Sequence, residues 1–199
     1  VELKKIYRQQ DEQFISLLNQ IRENKASEET LQALNQRYIP NFVPPKEGNY
    51  IRLTTHNAPA QYINEQQLAA LPAQAYSFTA EVEGNFPESS YPADFKLILK
   101  PGAQVMFIKN DPQHRFYNGM IGEVIGVKTD ENGSKIIVRS KDSGEEFELE
   151  KMEWTNAKYT LNEKTKEIEE TVEGKFMQYP LRLAWAITIH KSQGLTFEH

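Results

Sequence analysis

The sequence predicts an α/β protein interrupted by a small all-β unit, and three observations carry that prediction. Residues 50–83 read strand–helix–strand, the repeat that builds open sheets covered by helices. From about Leu99 the pattern changes to short apolar strands separated by turn residues, which reads as a small barrel. At Leu181 the α/β pattern resumes, so one unit is inserted into the other.

Residues 1–40 read as helical. Asp11 caps a helix whose Phe14, Ile15, Leu17, Leu18 and Ile21 recur at helical spacing. Ser27, followed by Glu28 and Glu29, starts a second helix with Leu31, Leu34 and Tyr38 on one face. Ile39-Pro40 ends it, and Pro44-Pro45 with Gly48 forms a connector. Tyr50 to Thr55 is a strand with Ile51 and Leu53 inward. Asn57 is the expected N-cap of the next helix, which carries Pro59 in its first turn and Ala60, Ile63, Leu68 and Leu71 at helical spacing, and stops at Pro72. Tyr76 to Glu83 alternates as one strand, with Tyr76, Phe78, Ala80 and Val82 on one side.

In the all-β stretch, Ala103 to Lys109 is a short strand, with turns at Asp111-Pro112 and Asn118-Gly119. Gly122–Val127 pairs with Lys135–Arg139 through Glu131-Asn132-Gly133-Ser134, and a further hairpin turns at Asp142-Ser143-Gly144 to return through Phe147 and Leu149. Trp154–Leu161 and Ile168–Tyr179 form one more, across Asn162–Lys166. The expected division is residues 1–99, an insertion at 100–178, and a resumed first domain at 179–199.

The 199 residues suffice for one large or two small domains with a real core. With 39% hydrophobic and 26% charged residues the chain is an ordinary globular one rather than a disordered one. A net charge of −5 excludes a global basic field for nucleic acid. It leaves room for a local one, because 11 of the 28 carboxylates lie between Asp142 and Glu173. The absence of Cys excludes disulfides, thiolate metal sites and a Cys nucleophile, and fits a cytoplasmic location. No signal peptide or long apolar run is present, so no membrane partner is expected. The chain opens without Met and stops at Thr196-Phe197-Glu198-His199, where an apolar strand would continue. The expectation is an excised piece of a longer protein.

The chemistry concentrates in AITIHKSQGLTF, residues 186–197. Thr188, His190, Lys191, Ser192 and Gln193 place five hydrogen-bonding side chains within six residues, and Gly194 closes the group. Charge, short donors and a glycine suit a phosphate backbone, and a polar helix end capped by Gly194 has the same composition. Elsewhere the usual sites are excluded. Gly174-Lys175 is followed by Phe176 and preceded by Glu169, so it is no phosphate loop. Asp11-Glu12 and Asp130-Glu131 follow no apolar strand, and His56, His114, His190 and His199 lack metal-ligand spacing, so no metal is expected. No Ser-His-Asp set can be assembled, and the chain by itself is not a self-sufficient enzyme.

Three segments in order, KIYRQQDEQFISLLNQIR (5–22), IRLTTHNAPAQYIN (51–64) and LAWAITIHKSQGLTF (183–197), resemble the second RecA-like domain of superfamily-one DNA helicases of the Pif-type and RecD-like branch. LKPGAQVMFIKND (99–111) and FYNGMIGEVIGV (116–127) resemble the entry to that branch's inserted Src-homology-type barrel. The resemblance implies a parallel sheet with helices, an ATP-dependent helicase moving five-prime to three-prime, and roles in DNA repair and recombination. It implies ATP and Mg held with a first RecA-like domain outside this chain, single-stranded DNA as partner, and a monomer.

By resemblance, Arg8 reaches the γ-phosphate, where a planar permanent charge stabilises transferring phosphoryl oxygens. Gln9 joins it on the nucleotide side or only supports the turn. Gly194 and Thr196 fall on the nucleotide side too, Thr196 standing where distant members carry a ribose-contacting Glu. Thr54, Thr55, His56 and Asn57 lie at a strand's C-terminal end and are assigned to DNA; capping and phosphate contact use the same geometry, so both readings stand. Thr188, His190, Lys191, Ser192 and Gln193 match the segment that touches DNA. Arg115 and Phe116, in a basic and aromatic loop, suit base stacking with adjacent charge, or a turn packed under the barrel. The competing readings are a non-enzymatic nucleic-acid or protein-binding module and a motor subunit of a recombination nuclease complex.

Overall fold

The computed structural model describes residues 11–45, 50–131, 133–161 and 166–195, which belong to two compact units, Val1–Lys46 and Glu47–His199. In the first unit α1 (Glu12–Arg22) begins where the Asp11 carboxylate accepts the Phe14 N–H at 3.0 Å. In α2 (Glu28–Asn35) the Ser27 hydroxyl accepts the Thr30 N–H at 3.2 Å and Thr30 Oγ1 accepts the Ser27 N–H at 3.1 Å, a reciprocal capping box. Thr30 is buried and donates to Gln20 of α1, which ties the two helices together. The helix stops short of Tyr38, which is exposed rather than on its apolar face. The helical reading of residues 1–10 lies outside the described residues.

The second unit begins with β1 (Arg52–Thr54) and α3 (Asn57–Ala70). Ile51 packs inward, but Leu53 is 48% exposed, against expectation. The strand expected over residues 76–83 is two, β2 (Tyr76–Thr79) and β3 (Glu81–Gly84), which enter different sheets. Between them the Ala80 N–H goes to Phe95 O at 2.8 Å. Side-chain alternation runs through such a crossing undisturbed, so the sequence pattern could not reveal it. A strand absent from the sequence reading, β4 (Lys96–Leu99), pairs antiparallel with β2 and buries Leu97 and Leu99.

A five-stranded sheet follows the order β11 (Leu181–Leu183), β5 (Gln104–Phe107), β6 (Ile121–Asp130), β7 (Gly133–Ser140), β8 (Glu146–Leu149). A three-stranded sheet joins β3 to β10 (Ile168–Gln178) and β9 (Met152–Leu161). β3 precedes residue 100 and β11 follows residue 178, so both sheets cross the expected boundaries of the insertion. A Cβ on Gly174 would meet Asn85 O at 2.4 Å; β10 and the end of β3 approach backbone to backbone, which only glycine allows.

Among the described residues the one parallel pairing joins β1 to β12 (Ala186–Thr188), which leads into α4 (Ile189–Ser192). The expected parallel sheet is thus reduced to a pair, because the other neighbours either reverse through short turns or meet antiparallel. The main core gathers Phe107, Phe116, Val124, Val138, Phe147 and Leu181 with Leu97 and Leu99 from β4 and Leu68 from α3. Among the described residues no helix is long and apolar enough to cross a membrane.

Candidate functional site

The two polar segments singled out in the sequence meet. β1 and β12 run side by side with Thr54 opposite Thr188, so TTHN and TIHKSQ leave the same edge of one parallel pair. Each strand then turns directly into a helix, the position where open α/β sheets place their ligands. The cap of α3 is His56, not Asn57, which is the first helical residue. Neither His56 nor Thr188 makes a side-chain cap bond, so the first N–H groups of α3 lack the usual internal acceptor.

Around this edge the short side chains are partly committed. Thr54 Oγ1 donates to His56 O at 2.9 Å and lies 3.4 Å from Ile187 O, which links the two strand ends. Thr55 Oγ1 and His56 Nδ1 are 2.8 Å apart. The Ser192 hydroxyl donates back to Ile189 O at 2.8 Å and keeps its lone pairs. Thr55, His56, Asn57, His190, Lys191 and Gln193 are exposed, whereas Thr188 is only 5% exposed and frames the edge from within. Gly194, at φ +85°, turns the chain out of α4 in the left-handed conformation that glycine favours. Arg8, Gln9 and Thr196 lie outside the described residues.

Residues that the sequence reading missed hold this edge in place. Asn64 of α3 is buried; its Oδ1 accepts the Ala186 N–H at 2.9 Å, and its Nδ2 donates to Ala186 O at 2.8 Å. A single amide therefore satisfies both backbone groups of a residue two positions before Thr188. Gln104 does similar work from β5, donating to Ala184 O at 2.9 Å and Tyr50 O at 3.2 Å while accepting from Lys141 Nζ at 3.0 Å. Asn64 did leave a signal: it sits between Ala60 and Leu68 at steps of four, on the buried stripe of α3.

Of the two readings of the loop around Arg115 and Phe116, the packed turn holds for Phe116 and base stacking does not. Phe116 is 3% exposed and packs on Phe107 at 4.6 Å between ring centroids, inside the core, so it cannot present a face to a base. Arg115 is held fork to fork by Asp111, with Nε–Oδ2 2.7 Å and a second bond of 2.9 Å. The Arg115 guanidinium hydrogen bond holds the Asp111 carboxyl below its ordinary range. Contacts instead tie this loop to the edge structurally. Gly119, at φ +98°, touches Leu195, and a Cβ there would come 2.6 Å from Leu195 Cδ2. Leu195 in turn packs with Met106, Ile121, Ala184 and Ile187.

No family model matches the chain. An ATP-dependent DNA helicase Pif1 of Bdellovibrio bacteriovorus is 32% identical over 193 residues, covering 94% of this chain and 40% of that protein. The crystal structure of Bacteroides sp. Pif1 in complex with ADP-AlF4 superposes with a TM-score of 0.83 at 38% identity, over 99% of this chain and 44% of that one. A second Bacteroides Pif1 structure, in complex with ADP-AlF3 and single-stranded DNA, gives 0.67 at 39% identity over 100% of this chain and 44% of that one. The chain is therefore homologous to DNA helicases along essentially its whole length. Its homologues are Pif1 family helicases, and it spans about two fifths of the length of these relatives.

Proposed function

We propose that the chain is the second RecA-like domain of a five-prime to three-prime DNA helicase, carrying a small barrel inserted at about residues 100–178. In this reading the edge formed by Thr54–Asn57 and Thr188–Gln193 contacts one strand of DNA through its phosphates. The observation that carries it is the register of β1 on β12, which sets Thr54 beside Thr188 at the C-terminal end of both strands. Helix N-termini, hydroxyls and a lysine gathered there are complementary to phosphate oxygens.

The described residues include no group of three or more His, Asp or Glu side chains able to hold a metal ion, and the sequence has no phosphate loop. In this reading ATP and Mg are held with a first RecA-like domain outside this chain. What the chain supplies toward the nucleotide is Arg8, supported by Gln9, with Gly194 and Thr196 at the end of the coupling segment. ATP, when bound, supplies the phosphoryl-transfer energy; the residues here hold the strand and sense the cleft. The full protein works as a monomer on single-stranded DNA in repair and recombination, in the cytoplasm.

The test is ATP turnover by this chain alone, with and without oligothymidylate. No turnover above a blank is expected. Turnover that persists in Arg8→Ala would overturn the two-domain reading.

A further inference from the structure

We propose that the groove beneath α3 is a second phosphate site for the same strand, in which Lys96 of β4, Arg182 of β11 and Lys191 of α4 grip one phosphodiester. This rests on the strand-binding reading above, and adds two residues to it that lie in neither polar segment. The groove encloses about 330 Å³, and its walls include Asn57 and Thr188, so it opens from the edge already described. That volume lies at the small end of the range for ligand pockets.

Three cations from three separate elements line it, against two carboxylates, Asp94 and Glu65. The balance is one positive charge, which matches the single negative charge of a phosphodiester. Elsewhere on the surface several lysines are paired: Lys128 with Glu148, Lys135 with Glu150, Lys151 with Glu81, Lys175 with Glu153. In the groove, Lys96 and Lys191 make no hydrogen bond or ion pair among the described residues, and Arg182 spends one donor on Pro92 O at 2.8 Å. Glu65 is engaged within α3, accepting from Gln61 at 2.7 Å.

Bringing these cations together opposes folding. Desolvation of the ammonium group beside the groove, then the neighbouring Arg182, lowers Lys191 below its ordinary range, against a smaller opposing pull from Asp94; desolvation does the same to Arg182. An anion in the groove would relieve both. Because β11 is an edge strand of the five-stranded sheet, a phosphate held there would be gripped by that sheet and by α4 at once.

The experiment is the salt dependence of affinity for a labelled oligothymidylate of about ten nucleotides, measured by fluorescence anisotropy. For single strands the slope of log K against log salt is about −0.7 per neutralised phosphate. In Lys96→Gln the slope is expected to shrink by about 0.7, with weaker binding at low salt; Lys128→Gln, the same charge change outside the groove, should leave it unaltered. Thermal melts check that Lys96→Gln, a change at an exposed position, is folded. Wild-type slope and affinity in both Lys96→Gln and Arg182→Gln, each shown folded by its melt, would overturn the groove site while leaving the edge reading intact. Absence of any binding by the wild-type chain would overturn the edge reading and the groove with it. A rise in melting temperature with inorganic phosphate that disappears in Lys96→Gln, with the strand slope unchanged, would assign the groove to a free phosphate and overturn the strand assignment.

Discussion

Phe116→Ala is expected to cost about 3–5 kcal/mol of stability and to act on the fold rather than on a base contact. The ring is 3% exposed and lies 4.6 Å from Phe107 and 6.0 Å from Phe147 between centroids, in the centre of the main cluster. Truncation removes the transfer free energy of the ring and leaves a cavity that its two aromatic neighbours cannot easily fill. The surrounding loop is further constrained by the Asp111–Arg115 fork and by Gly119 against Leu195, which limits collapse. Chemical denaturation measures the cost. A loss within about 0.5 kcal/mol, as surface substitutions give, would return Phe116 to the surface role that its sequence context suggests.

Asn64→Ala carries the next largest effect, about 2–4 kcal/mol. The change leaves the N–H and C=O of Ala186, a residue 1% exposed, without their side-chain partner in the interior. Each orphaned group costs desolvation that no contact returns. Asn64→Asp separates this from simple packing. Its ionised carboxylate would face Ala186 O with a lone pair where Asn64 presents a donor, whereas the protonated acid again offers one donor and one acceptor. Burial raises such an acid, so the deficit of Asn64→Asp should shrink as pH falls through that raised value. A deficit independent of pH, or Asn64→Ala equal to wild type, would show that Asn64 does not fix β12.

What the sequence made legible was local. Asp11 and Ser27 start helices because a side-chain oxygen reaches an N–H three residues on, and such caps are written in consecutive residues. The polar segments TTHN and HKSQG were visible as clusters, and resemblance assigned each to DNA; the register of β1 on β12 puts them on one edge. What stayed hidden depended on partners far along the chain. Asn64 meets Ala186 across 122 positions, and Lys96 and Arg182, from β4 and β11, line one groove although they are far apart in sequence. Phe116 misled for the opposite reason: its neighbours in sequence are polar, while its neighbours in space are Phe107 and Phe147. Tertiary packing decided its place, and no local pattern records that.

The claim on which the rest depends is that a single strand lies on the edge shared by β1 and β12. Amide hydrogen exchange of the chain with and without oligothymidylate tests it directly. Protection is expected at residues 54–57 and 188–193, with residues 156–161 of β9 and 168–172 of β10 unchanged. Protection confined to those stretches of β9 and β10, or none at the two edges at saturating oligonucleotide, would contradict the account.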